Sequence, residues 1–231
     1  MELKAKNNYV NDQYFRVRFP YDDRRDLVWR EVCRYLQNRY IPENSRIVDL
    51  GAGYCNFINN VNGRERHAVD VFTELDRFAA EGVSTHIETC TELKFAHDDS
   101  FDVAFASNLF EHLTRQELTD TCRALKAKLC DGGKLILLQP NFKYCYRTYF
   151  DDYTHIQLFT HLGLADLIEV MGFGIYEVFP RFLPMNMKST LRLGLPRLDL
   201  LTRLYLHSPF KPLAGQMLIV AENRKELPSP N

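Results

Sequence analysis

The run Ile47-Val48-Asp49-Leu50-Gly51-Ala52-Gly53 constrains this chain more than any other stretch. An apolar strand carries an acid near its end and empties into two glycines spaced G-x-G, and Tyr54-Cys55-Asn56-Phe57 then suit the start of a helix. Glycine suits such a turn because it accepts positive φ and lets backbone N–H groups come close to a ligand. A second acid, Asp70, closes the apolar segment His67-Ala68-Val69-Asp70-Val71. It falls about 20 residues after the first, the spacing that sets a carboxylate against both hydroxyls of a ribose. The pair points to an adenosine-like cofactor without saying which.

Around that turn the pattern alternates. Apolar runs at Arg46–Leu50, His67–Val71, Val83–Glu88, Ser100–Ser107 and Lys134–Gln139 read as strands. Helical periods cover Asp22–Arg39, a short segment around Phe57, Ile58 and Val61, Glu74–Ala80 closed by Gly82, Arg115–Leu129, and Phe159–Met171 with Thr160 as N-cap. Such alternation implies a doubly wound parallel sheet. Phe173–Phe179 and Gln216–Ala221 read as two further strands, separated by a Leu-, Pro- and Arg-rich stretch.

Composition excludes little but usefully. A formal net charge of −1 argues against a dedicated nucleic-acid binder. The cysteines (33, 55, 90, 122, 130 and 145) are scattered without metal-ligand spacing, so no metal site is expected and a reducing, cytoplasmic setting is. The N-terminus lacks the apolar core of a signal peptide, and no apolar run is long enough to span a bilayer.

A nicotinamide dehydrogenase would want G-x-G-x-x-G, and Asn56 stands where its third glycine belongs. Val48-Asp49-Leu50-Gly51-Ala52-Gly53, Asp70, the block FDVAFASNLFEHL (Phe101–Leu113) and the block LCDGGKLILLQP (Leu129–Pro140) follow in an order that resembles the class I S-adenosylmethionine-dependent methyltransferases. The resemblance covers roughly residues 45–180 and is closest to small single-domain members that act on bacterial glycans and natural products. It implies a Rossmann-like α/β fold with a seven-stranded, mostly parallel sheet and an antiparallel last strand. The layout that goes with it is an N-terminal arm and helix (1–44), a cofactor-binding core (45–181), a lid-like insertion (182–214) and the last strand (215–223), all in one domain.

The resemblance also implies site residues. Gly51, Ala52 and Gly53 would pass under the methionine part of S-adenosylmethionine, with Asp49 near its ammonium group and Asp70 on the ribose. Val71, Thr89 and Cys90 would lie near the nucleoside, with Thr89 where relatives often carry an acid, and Cys55 replaces the family's third glycine. Asn108, Glu111 and His112 would sit where the fourth strand empties over the cofactor. Arg18, in an arm with Tyr14 and Arg16, could pair with the methionine carboxylate as a fork.

Methyl transfer to a neutral hydroxyl needs alignment and a proton acceptor. His155, in Phe150-Asp151-Asp152-Tyr153-Thr154-His155-Ile156, suits the base at neutral pH, with Asp151 or Asp152 to orient it or grip the acceptor. Tyr144, Cys145, Tyr146, Arg147 and Tyr149 are candidates for lining the acceptor pocket. Residues 182–213 set Lys188, Arg192, Arg197, Arg203 and Lys211 against the single acid Asp199 among many leucines, a pattern for an anionic or lipid-linked acceptor at a membrane face.

The reading is therefore an O-methyltransferase acting on a sugar hydroxyl of a glycan, a lipid-linked glycan or a small molecule, releasing S-adenosylhomocysteine. A natural-product N- or C-methyltransferase shares every cofactor motif. A protein or RNA methyltransferase, or a non-catalytic cofactor-binding protein, fits the residues less well.

Overall fold

The computed structural model describes residue 17, residues 20–184 and residues 197–225. Tyr14, Arg16 and Arg18, and Lys188 and Arg192 in the basic stretch, lie outside the described residues. One sheet holds β1 (Arg46–Leu50), β2 (Glu65–Asp70), β3 (Val83–Ile87), β4 (Phe101–Ser107), β5 (Leu129–Pro140), β6 (Phe173–Pro184) and β7 (Ala214–Asn223). Their spatial order is β3-β2-β1-β4-β5-β7-β6. Pairings from β3 across to β5 are parallel, and β7 runs antiparallel to both β5 and β6. This is the mostly parallel seven-stranded sheet with an antiparallel last strand that the resemblance implied.

The central strands are apolar on both faces because both faces are covered. Val103 and Phe105 of β4 join Ile47 and Ile136 under α1 (Arg24–Arg39), which buries Val28, Val32 and Leu36 there. Ala104 and Ala106 face the other way with Val48, Leu50 and Leu137, under α2 (Arg115–Lys128) and its Leu118, Cys122 and Leu125. Thr114 starts α2 with a capping box: its hydroxyl accepts from Glu117 N, and the Glu117 carboxylate accepts from Thr114 N. After β5 come α3 (Phe142–Cys145) and α4 (His161–Val170), the latter capped by Thr160 as the sequence suggests. Helix α5 (Leu198–His207) packs on α1, burying Leu198 and Leu206 while Leu200, Leu201 and Leu204 stay exposed. Among the described residues no helix is long and apolar enough to cross a membrane.

Two helices expected from periodicity do not form. Residues 53–60 make a series of turns, with isolated helical bonds such as Asn59 N to Cys55 O at 3.0 Å. The cause is Cys55, whose φ of +58° is left-handed and interrupts a right-handed helix at its first turn. Glu74–Ala80 shrinks to one 3₁₀ turn, Leu75–Arg77, although Gly82 does take the left-handed φ of +78° foreseen for a cap. Strand β5 starts at Leu129 rather than Lys134, crossing an irregularity in its pairing with β4 around Asp131-Gly132-Gly133.

Candidate active site

In a sheet of this order, ligands bind at the carboxyl edge where the strand order reverses, here between β1 and β4. The glycine turn leaves β1 at that point. Gly51 and Gly53 hold φ of +67° and +51°. A Cβ on Gly51 would stand 3.1 Å from Leu109 Cδ1, so both conformation and space call for glycine there. Gly51 N and Ala52 N donate to Val69 O at 2.9 and 3.2 Å, stitching the turn to β2. Asp70 then receives Gly53 N on Oδ2 at 2.8 Å and Phe72 N on Oδ1 at 2.9 Å.

Asp49 accepts from Ile58 N and, like Asp70, is buried. Burial, and then the neighbouring Asp70, raises the Asp49 carboxyl well above the usual range. Burial also raises Asp70, opposed by the N–H groups of Gly53, Phe72 and Val71. Two neighbouring buried acids at the rim of a glycine turn fit a ligand that brings a cation and hydroxyl donors. An amino-acid ammonium and a ribose are such donors.

The other nucleoside candidates differ. Val71 and Thr89 are exposed at the ends of β2 and β3, with Thr89 Oγ1 2.8 Å from Thr91 Oγ1. Cys90 packs into the apolar layer beside α2, its sulfur 3.4 Å from Thr121 Oγ1, and burial pushes its thiol up to about 11. Its side chain is thus structural, which leaves only its backbone to a ligand.

Past β4 the chain turns sharply through Asn108, with φ of +49°. Asn108 Oδ1 accepts from Gln216 Nε2 at 2.7 Å, and Leu109 N donates to Gln139 Oε1 at 3.3 Å. Gln139 and Gln216, on β5 and β7, were not singled out in the sequence; their signal was a polar residue at one end of an apolar strand. The 3₁₀ turn Phe110–His112 follows and meets the loop after β5.

That meeting brings the catalytic candidates together. Ile156 N and Gln157 N both donate to Glu111 O, at 2.9 and 3.0 Å. Asp152 is buried and accepts from Thr154 N at 3.2 Å and from Thr154 Oγ1 at 2.6 Å, while Asp151 is exposed at the end of a 3₁₀ turn. His112 Nδ1 lies 2.9 Å from Thr154 Oγ1 and 3.2 Å from Thr154 O. The buried His155 ring stands 4.5 Å from the Tyr149 ring and 4.9 Å from the His112 ring. Its Nε2 is 3.9 Å from Glu111 Oε1.

Glu111 is buried, with neither carboxyl oxygen hydrogen-bonded, and burial pushes its pKa up to about 8. Burial, with His155 nearby, pulls His112 down to about 4. In the segment that carries His155, Tyr144, Tyr146, Phe150, Tyr153 and Ile156 are exposed, alongside exposed Lys143, Arg147 and Asp151. Of the pocket-lining candidates, Cys145 and Tyr149 are instead buried.

Comparison with known proteins agrees with this layout. A family model described as a methyltransferase domain matches residues 21–178. An uncharacterized methyltransferase of Staphylococcus carnosus is 27% identical over 100 residues, 42% of this chain and 48% of the relative; the chain thus matches about half of that protein's length. A Haloferax volcanii methyltransferase, solved in complex with the Trm112 activator, superposes with a TM-score of 0.66 at 15% identity, covering 88% of this chain and 92% of that one. A Thermotoga maritima protein, described as a possible histamine N-methyltransferase, gives 0.62 at 17% identity over 91% and 98%. An S-adenosylmethionine-dependent methyltransferase of Archaeoglobus fulgidus gives 0.58 at 19% identity over 84% and 94%. With a family model spanning its glycine turn, both acids and the β4 exit, on the sheet these enzymes share, this chain belongs to the methyltransferase domain family.

Proposed function

We propose that the protein is an S-adenosylmethionine-dependent O-methyltransferase whose acceptor is a sugar hydroxyl on a glycan, a lipid-linked glycan or a related small molecule. The observation that carries this reading is the junction of two sites on one sheet edge. A paired-acid glycine turn lies on the β1 and β2 side, and beyond β4 and β5 a buried imidazole sits in a segment whose Tyr144, Tyr146, Phe150 and Tyr153 are exposed. Bound S-adenosylmethionine supplies a methyl group on a sulfonium, and the C–S bond breaks as the C–O bond forms, leaving S-adenosylhomocysteine.

The chain's own residues do the rest. Gly51, Ala52 and Gly53 let the cofactor lie close to backbone, Asp49 faces its ammonium group, and Asp70 accepts from the ribose hydroxyls while it anchors the turn. Val71, Thr89 and the Cys90 backbone border the nucleoside, and Asn108 and His112 border the methyl-bearing end. Arg18, outside the described residues, is assigned to the methionine carboxylate. His155 takes the acceptor proton, with Asp152 shaping its loop and Asp151 free at the surface to meet acceptor hydroxyls. Exposed aromatic faces such as Tyr146 and Tyr153 are suited to the apolar faces of sugar rings. The exposed Leu200, Leu201 and Leu204, with exposed Arg203 on the same helix, support contact with a membrane face that would present a lipid-linked acceptor.

The test is methyl transfer from labelled S-adenosylmethionine to nucleotide sugars and lipid-linked oligosaccharides, with the product's methylated atom identified by NMR. An O-methyl sugar is expected, and His155→Ala should keep S-adenosylhomocysteine affinity while losing at least about a hundredfold in turnover. Methyl found on nitrogen or carbon, or full activity in that variant, rejects the reading.

A further inference from the structure

Three side chains from two separate segments converge between the β4 exit and the loop after β5. One ligand-type atom each from Glu111, His112 and His155 lies within 4.8 Å of the others. Both imidazole Nε2 atoms stand 3.9 Å from the same oxygen, Glu111 Oε1. That is too long for a hydrogen bond. Donors bound to one zinc ion at about 2.0–2.1 Å would sit about 3.3 Å apart, so a shift of less than about 1 Å per group closes the set.

The chemistry of the facing atoms sharpens this. The Thr154 carbonyl oxygen can only accept, so the His112 Nδ1 beside it carries the proton. Thr154 Oγ1 agrees, since it donates to Asp152 and therefore meets His112 Nδ1 as an acceptor. Neutral His112 therefore has its lone pair on Nε2, aimed at the Glu111 carboxyl. Glu111 is 1% exposed and neither of its oxygens has a hydrogen-bond partner. The His112 Nε2 and a buried carboxyl oxygen of Glu111 that has no hydrogen-bond partner lie 3.9 Å apart, an arrangement that a cation completes.

The chain Asp152–Thr154–His112 is also the outer shell that orients a ligating histidine: a carboxylate fixes a hydroxyl, which fixes the imidazole tautomer. No sequence motif announces the site, because its ligands His112 and His155 stand 43 residues apart along the chain.

We propose that Glu111, His112 and His155 bind one divalent transition-metal ion of the zinc type. Two imidazoles and one carboxylate form a donor set for such ions, and three protein ligands leave a fourth position for an oxygen ligand. The binding claim stands on these residues alone. Its consequence for catalysis rests on the reading of this loop as the acceptor site. There the acceptor hydroxyl would take the fourth position, the ion would lower its pKa so that its proton passes to solvent, and His155 would hold the ion in place of acting as the base.

The test uses the full chain purified without chelator. Elemental analysis should find one equivalent of metal, or the stripped protein should take up one equivalent of Zn²⁺ by calorimetry with a rise in Tm. Co²⁺ in its place should give visible d–d bands of a low-symmetry site with nitrogen ligands. Glu111→Gln and His155→Asn should each weaken Zn²⁺ binding at least a hundredfold while S-adenosylhomocysteine affinity, which reports folding and the cofactor site, stays unchanged. No stoichiometric uptake of Zn²⁺ or Co²⁺ by wild-type protein that still binds S-adenosylhomocysteine overturns the proposal and leaves His155 as the base. Unchanged Zn²⁺ affinity in both variants overturns it equally. Loss of S-adenosylhomocysteine binding in wild-type protein would instead count against the proposed function and leave the metal result standing.

Discussion

The two halves of the site are built by different means. On the β1 and β2 side, backbone does the work: Gly51 N and Ala52 N reach Val69 O, and Gly53 N and Phe72 N reach Asp70. Every partner there lies within one short β-turn-β passage. Beyond β4 and β5, side chains do it: His112 on Thr154, Thr154 on Asp152, and Glu111 between two imidazoles. A backbone-built half tolerates many side chains but few conformations, and a side-chain-built half the reverse. One half can therefore bind the same reagent in many relatives while the other is free to vary its acceptor.

Substitutions can try to break that division. The largest effect is expected from Asp70→Ala, which removes both the proposed ribose acceptor and the anchor of Gly53. S-adenosylhomocysteine affinity by calorimetry should fall about a hundredfold, on the order of 3 kcal/mol. Thr154→Val should do the opposite in kind, leaving that affinity intact while kcat drops about tenfold as His112 loses its hydroxyl partner. A parallel fall in affinity would show the halves are not separable. Gly51→Ala places a Cβ 3.1 Å from Leu109 at positive φ, and should lower unfolding free energy by about 1–2 kcal/mol with a matching loss of cofactor affinity.

The smallest effect lies behind the cofactor edge, at the paired imidazoles of β2 and β3. His67 Nδ1 and His86 Nε2 are 3.1 Å apart, and His86 stacks on Phe95. Burial, and then the facing His67, lowers His86 to about 4, and burial lowers His67 as well. A histidine depressed in the fold binds fewer protons there than when unfolded, so stability is full above the unfolded value near 6.5 and drains away as pH falls toward 4. The loss should be about 1 kcal/mol, because both rings keep part of their surface in water. Urea titrations at pH 7 and pH 5 should show that sensitivity shrinking in His86→Phe.

The same division explains what could be read from the sequence. Strands β1, β2 and β4 stood out because each carries a compact apolar run, and the first half of the site because glycines and acids act within a few residues of one another. The helix expected at Phe57–Val61 failed on one left-handed residue, Cys55, whose conformation depends on the turn it closes. Glu111 and His112 were visible as polar residues at a strand exit. Their convergence with His155 was not, because it depends on Ile156 and Gln157 docking on Glu111 O across the sheet edge. Side-chain ligands without fixed spacing leave no periodic trace.

The strand order has a consequence for how the protein is made. β7 is synthesised after β6 yet lies between it and β5, and among the described residues β6 has no other neighbour in the sheet. During vectorial synthesis β6 leaves the ribosome before β7, the strand it pairs with, and β5 waits with an open edge. Sheet closure, and with it the Gln216 clasp on Asn108, comes only when residues 214–223 emerge. A nascent chain stalled before that point displays two unpaired apolar edges, the kind of surface that chaperones bind and that aggregates when they do not.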